Sequence, residues 1–172
     1  MGILEGSPVP DAYLLLGDNS ENDIRTILGL IRGKAPIYGV LGNHDTWSHY
    51  DRFPEVQDLH GKTAHLDGLT IGGLSGSLRY KPGGGCMLSQ EESIEGAAGL
   101  AGEQIDILIT HDKAADRYCT YEPKGGLVGI SRCLAECRIP VHIHGHLHSP
   151  RTIILPNGTS SRCVFQTEAV SI

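Results

Sequence analysis

Tyr38-Gly39-Val40-Leu41-Gly42-Asn43-His44-Asp45 joins a short β-rich apolar run directly to an amide, an imidazole and a carboxylate. The same kind of join recurs three more times. Leu14-Leu15-Leu16-Gly17 ends at Asp18, Ile107-Leu108-Ile109-Thr110 ends at His111, and Val141-His142-Ile143-His144-Gly145 ends at His146-Leu147-His148. Helical stretches separate these runs, which is the pattern of a layered α/β domain with parallel strands. In such sheets ligands collect at the carboxyl ends of strands. One Asp, one Asn and three His, far apart in the chain, are therefore expected to meet around cations at one sheet edge.

Outward from these runs, Glu21 to Arg32 reads as a helix with Ser20 as its N-cap and Ile24, Ile27, Leu28 and Ile31 along one face. Tyr13 to Leu16 reads as a buried strand and Ile37 to Leu41 as the next. Thr63 to His65 and Leu69 to Leu74 flank Asp67-Gly68, a two-residue turn signal, so a β-hairpin is expected there. The Gly- and Ser-rich stretch Ser75 to Gly85 contains Lys81-Pro82-Gly83-Gly84-Gly85 but lacks the spacing of a phosphate-cradling loop, and reads as a mobile surface loop near the mouth of the site. Ile105 to Ile109 and Val141 to Ile143 read as strands with a helix around Val128 to Cys137 between them. Arg151 to Leu155 and Cys163 to Gln166 read as a closing hairpin about Asn157-Gly158.

The chain has 172 residues, 40% of them apolar, which suits one domain over 1–172 with one sizeable core. Lys plus Arg number 14 against 20 Asp plus Glu, a net charge of -6, so no basic face is available to hold a nucleic-acid backbone by charge alone. No apolar run approaches the length of a membrane span, and Met1 to Pro10 has no basic region leading into an apolar stretch. A soluble, cytoplasmic protein is expected. Its five cysteines (Cys86, Cys119, Cys133, Cys137, Cys163) form no CxxC pair and read as reduced structural thiols.

Gly precedes three of the four polar strand ends (Gly17, Gly42, Gly145), which lets the backbone turn sharply and present the next side chain. Carboxylate, amide and imidazole donors without a thiolate suit Mn, Fe or Zn better than Ca or a Cys-based structural zinc. Taken singly, a strand-end Asp or His is an ordinary cap or a satisfied polar residue. It is their joint occurrence that points to metal.

Gly17-Asp18, Gly42-Asn43-His44-Asp45, His111 and Gly145-His146-Leu147-His148 resemble, in order, the last four signature blocks of the calcineurin-like metallophosphoesterases: G-D, G-N-H-D/E, H and G-H-x-H. The resemblance implies an αββα sandwich. It further implies that Asp18 bridges two metals, that Asn43, His111 and His146 complete one of them, and that His148 belongs to the other. It also implies hydrolysis of a small phosphoester or nucleotide. His44 would be the general acid, Asp45 would fix its tautomer, and water acidified between the cations would attack phosphorus in line. Adjacency alone equally allows Asp45 to cap a helix.

The family's first block, D-x-H, is not among the 17 residues before Asp18, so the sandwich is expected to lack its first strand and helix. The string Asp58-Leu59-His60 follows the G-N-H-D block, ends no apolar run and reads as chance, with His60 an ordinary loop residue. A late start, a one-metal site, or ligands from another residue or chain would each account for the gap. His142 and His144 lie in register with His146 and are the nearest candidates to replace the missing ligands, but read rather as buried strand histidines, His144 as a hydrogen-bond partner that orients a ligand. One metal is then expected to bind tightly, because the other keeps only Asp18 and His148. The competing reading is a scaffold or binding protein of the same fold with weak or lost catalysis.

Overall fold

Side chains alternate across a strand, and here the alternation sorts the apolar residues into three separate cores. The computed structural model describes residues 9–171 apart from 32, 84 and 116–124. Strands β1 (Tyr13–Leu15), β2 (Ile37–Gly39) and β3 (Val56–Asp58) form an all-parallel sheet in the order β1-β2-β3. Helix α1 (Glu21–Ile31) packs Ile24 and Ile31 against one face of it, with Leu15, Ile37 and Leu41. Leu14, Leu16, Tyr38 and Val40 point to the opposite face. There they meet Ile71, Ile107, Ile109 and Ile143 of a second, six-stranded sheet.

That second sheet consists of β4 (Lys62–Leu66), β5 (Leu69–Leu74), β8 (Ile107–Thr110), β9 (Val141–His144), β10 (Arg151–Ile154) and β11 (Ser160–Cys163), in the order β10-β11-β9-β8-β5-β4. Its outer face carries Leu74 and Leu108 into the third core, built with α2 (Gln90–Ala98) and α3 (Val128–Glu136). The four layers are the expected αββα sandwich. This six-stranded sheet is mixed rather than purely parallel: β4 with β5 and β10 with β11 are antiparallel edges on a parallel centre. Strand β1 is only half-buried at Tyr13 and Leu14, not buried throughout, because it lies at a sheet edge.

Ser20 caps α1 as expected: its Oγ accepts from the Asp23 N–H while its own N–H donates to Asp23 Oδ2. Asp67 and Gly68 both take positive φ, 48° and 87°, which matches the twist of a two-residue hairpin turn. Three expectations need correction. The stretch Ser75 to Gly85 is not a surface loop from end to end, since Ser75 and Ser77 are buried and β6 (Ser77–Leu78) pairs in parallel with β7 (Met87–Leu88). The closing hairpin pairs Arg151–Ile154 with Ser160–Cys163 instead of with Cys163 to Gln166. Its turn is tight, sealed by bonds from Gly158 N to Leu155 O and from Leu155 N to Thr159 O, so the return strand starts at once through polar residues. Thirdly, α2 is an additional helix. Its buried contact is made by Ser93 rather than by bulky apolar residues, so the periodic signal is faint, while Ser89 and Glu92 form a capping box.

His142 and His144 are fully buried on the helix-facing side of β9, as expected, with stacked rings 5.1 Å apart. Thr110 donates its hydroxyl proton to the Asp112 carbonyl, so it can only accept from His142 Nε2–H at 2.8 Å. His142 Nδ1 is then the acceptor for Ser161 Oγ. His60, in contrast to the loop role expected of it, accepts the Ser75 N–H at Nδ1, and its ring stands edge-on to Trp47. Cys86, Cys133 and Cys137 are free thiols, Cys163 is buried with its Sγ 3.6 Å from the Gly145 carbonyl oxygen, and Cys119 lies outside the described residues. No described helix is long and apolar enough to cross a membrane.

Two outcomes follow from this packing. A methyl group on Gly129 would collide with the Ser93 carbonyl oxygen where α3 crosses α2, so Gly129→Ala is expected to cost about 1–3 kcal/mol by overpacking, read as a lower urea midpoint. Burial holds the His142 pKa well below its ordinary value. The folded state therefore resists a proton that the unfolded chain accepts, and stability is full above the unfolded value of about 6.5 and falls as the pH drops below it. His142→Gln, which cannot titrate, is expected to flatten that slope in urea unfolding followed from about pH 7 to about pH 5.

Candidate metal centre

Two glycines bring the first two polar strand ends together. Gly17 takes φ 87°, and a side chain there would collide with the Gly42 backbone nitrogen. Gly42 keeps an ordinary φ, but a side chain on it would collide with Asp18 Oδ1. Its value is close approach, whereas Gly145 has only ordinary contacts and is not demanded by space. Asp18 and His146 are themselves left-handed, at φ 56° and 65°, conformations rare outside glycine and concentrated at functional sites. His148 shares the feature at 51°.

The Asp45 carboxylate ties this corner. Its Oδ2 accepts the N–H of both Asp18 and Gly42, each at 2.8 Å, and its Oδ1 lies 3.9 Å from His49 Nε2. Asp45 is buried, and its role in the structure is to lock the Asp18 and Asn43 loops together. The expected bond to the His44 ring is not found among the described residues. His44 is exposed at the rim, and its backbone N–H donates to Asp18 Oδ1 at 2.8 Å.

His111 fixes the electrostatics of the cluster. Its Nδ1 lies 2.6 Å from the Leu16 carbonyl, which can only accept, so Nδ1 carries the proton. Burial lowers the His111 pKa despite the nearby Asp18 carboxylate, so the ring is neutral and Nε2 bears a lone pair. That lone pair faces Asn43 Oδ1 at 3.0 Å and Asp18 Oδ2 at 3.5 Å. The His146 ring centroid lies 5.0 Å from that of His111, and Asp18, His111 and His146 each present a ligand atom within 4.8 Å of the others. Lone pairs with no proton among them repel one another, and a divalent cation is the natural remedy. Asp18, Asn43, His111 and His146 are thus brought together. His148 is not part of this group: it is exposed, with its ring 4.6 Å from that of Phe165.

The sequence profile of the calcineurin-like phosphoesterases matches residues 3–150. The chain belongs to that family. Its members are metal-dependent phosphoester hydrolases, and the cluster around His111 supplies a candidate metal site of the matching kind. Among solved structures, the phosphopantetheinyl hydrolase PptH of Mycobacterium tuberculosis is similar, with a TM-score of 0.67, 17% identity, and coverage of 95% of this chain and 83% of that one. Protein TT1561 of Thermus thermophilus superposes with a TM-score of 0.64 at 12% identity, covering 89% of this phosphoesterase and 76% of its own chain. At such identities these likenesses speak for the fold. No curated protein matches the sequence.

Several supporting residues carry no sequence signal of their own. Asp112 is buried behind His111 and accepts from the Leu78 N–H at Oδ2, fastening β6 to the metal-bearing loop. Ser75 Oγ accepts the Leu41 N–H just before the Gly42 turn. A side chain on Gly85 would collide with the Asn43 carbonyl, so the phosphoesterase lays this segment directly on its asparagine loop. Adjacency to His111 is the one available hint, and it points only to Asp112.

Replacing Asp45 by Ala leaves two inward N–H groups without their acceptor. Asp45→Ala is expected to lose about 2 kcal/mol of stability or more. It should also weaken Mn binding about 10- to 100-fold, read by calorimetric titration, as losses beside a ligand commonly do.

Proposed function

We propose that this phosphoesterase hydrolyses a small phosphoester with one tightly held divalent ion, Mn, Fe or Zn, on Asp18, Asn43, His111 and His146. The reading is carried by the neutral His111, whose Nε2 lone pair is turned on two oxygen acceptors with no proton between them. A cation held there would supply Lewis acidity toward a phosphoryl oxygen and bring the pKa of a coordinated water toward neutrality. Asn43 spends Oδ1 on the cluster, which leaves its amide hydrogens to neutralise a phosphoryl oxygen. His44, exposed at the rim and anchored by its backbone to Asp18, is the general acid that delivers a proton to the leaving oxygen. Asp45 acts as a positioning residue through its grip on Asp18 and Gly42.

Among the described residues, Asp18 and His148 would serve a second cation. Two ligands hold a divalent ion weakly, and His148 is engaged with Phe165. Metal analysis after dialysis is therefore expected to find about one equivalent, and two full equivalents would contradict the one-metal reading. With Mn added, bis(p-nitrophenyl) phosphate should be turned over, and His44→Ala should lower kcat by about 100-fold or more. Equal background rates in parent and variant would instead favour a scaffold that keeps the fold without the chemistry.

A further inference from the structure

The turn between β10 and β11, Leu155-Pro156-Asn157-Gly158-Thr159, is fastened to the end of α3 and to the strand that follows it. Leu155 is buried in the core that α3 shares with the six-stranded sheet. Asn157 Nδ2 donates to the Leu134 carbonyl at 2.9 Å, Thr159 Oγ1 donates to the Ile139 carbonyl at 2.6 Å, and Ser160 N donates to the Pro140 carbonyl at 2.9 Å. Leu134 lies in the last turn of α3, where backbone carbonyls run short of helical partners. The Asn157 amide supplies the missing N–H, just before the chain enters β9 and runs on to His146. It works as a latch.

Asn157 is also the one asparagine in the chain followed by glycine; Asn19, Asn22 and Asn43 precede Ser, Asp and His. Glycine has no side chain to shield its backbone nitrogen or to hinder closure of a cyclic imide. Both residues are exposed, and nothing lies within 4 Å of where a side chain on Gly158 would begin, so water has access. In the reaction the Gly158 nitrogen bonds to Asn157 Cγ, the Cγ–Nδ2 bond breaks, and Nδ2 leaves as ammonia with the proton that Gly158 gives up. Water then opens the imide at either carbonyl and leaves aspartate or isoaspartate. In the closed turn the reacting atoms are all engaged: the Gly158 N–H donates to the Leu155 carbonyl at 2.8 Å, Asn157 Oδ1 accepts the Thr159 N–H at 3.2 Å, and Nδ2 is held on Leu134. Attack has to wait until the turn opens, and local opening costs free energy of its own.

We propose that Asn157 is a site of spontaneous deamidation, protected while the turn is closed, whose product releases the end of α3 from the turn. A carboxylate at position 157 has no proton to donate at neutral pH. It also sets negative charge against a carbonyl at the negative end of the α3 dipole, so repulsion takes the place of the bond to Leu134.

The test incubates the full chain in mildly alkaline buffer, with and without urea, and follows each asparagine by peptide mass spectrometry. In urea Asn157 should convert faster than Asn19, Asn22 and Asn43, and in native buffer its conversion should be about tenfold slower or more. The acid form, separated from the parent by ion exchange, should unfold at a lower urea concentration. Asn157→Asp should likewise unfold below Asn157→Ala, because alanine loses the bond without adding the charge. No conversion at Asn157 in urea would overturn the site, and equal rates in the two buffers would overturn its protection. An acid form as stable as the parent would overturn the latch.

Discussion

One carboxylate oxygen receives two backbone N–H groups from two different strand ends, and the arrangement of the site depends on that bracket. Asp45 Oδ2 holds Asp18 and Gly42 at the same distance, and the glycines at 17 and 42 permit the approach it enforces. Without the bracket, the left-handed backbone at Asp18 has no local reason to persist. With it, Asp18 faces the neutral His111, and Asn43 joins from the adjoining loop. The strain is met during folding, so the ligand set is arranged before any cation arrives.

Much of this is legible in the sequence, and the reasons are physical. Apolar runs such as Leu14 to Leu16 and Ile107 to Ile109 are buried by opposite faces in different cores, which produces a near-continuous hydrophobic signal that ends sharply at the polar residue. The Asp67-Gly68 turn and the Ser20 cap are local chemistry and need no tertiary information. Four of the five expected ligands converge because each follows a strand, although they do so from the strand ends of two stacked sheets and not, as expected, from one sheet edge.

What stays hidden depends on contacts between residues distant in sequence. Helix α2 meets α3 through Ser93 and Gly129, small residues that leave no apolar stripe to detect. Strand β6 is two residues long and exists because Asp112, 34 positions away in the chain, accepts the Leu78 N–H. In the sequence the Asp45 carboxylate reads as a partner of its neighbour His44, since proximity along the chain is the only information a motif offers. Backbone groups brought close by folding have a stronger claim on it.

The four clustered ligands come from two different sheets. Asp18 and Asn43 follow β1 and β2 of the three-stranded sheet, whereas His111 and His146 follow β8 and β9 of the six-stranded one. The layer of Tyr38, Val40, Ile71, Ile109 and Ile143 between them sets how far apart the two halves stand. A cation gripped from both sides would work as a rivet through the sandwich, and the thickness of that hydrophobic filling would act as its gauge: trimming a methylene deep in the filling would detune coordination with no ligand altered.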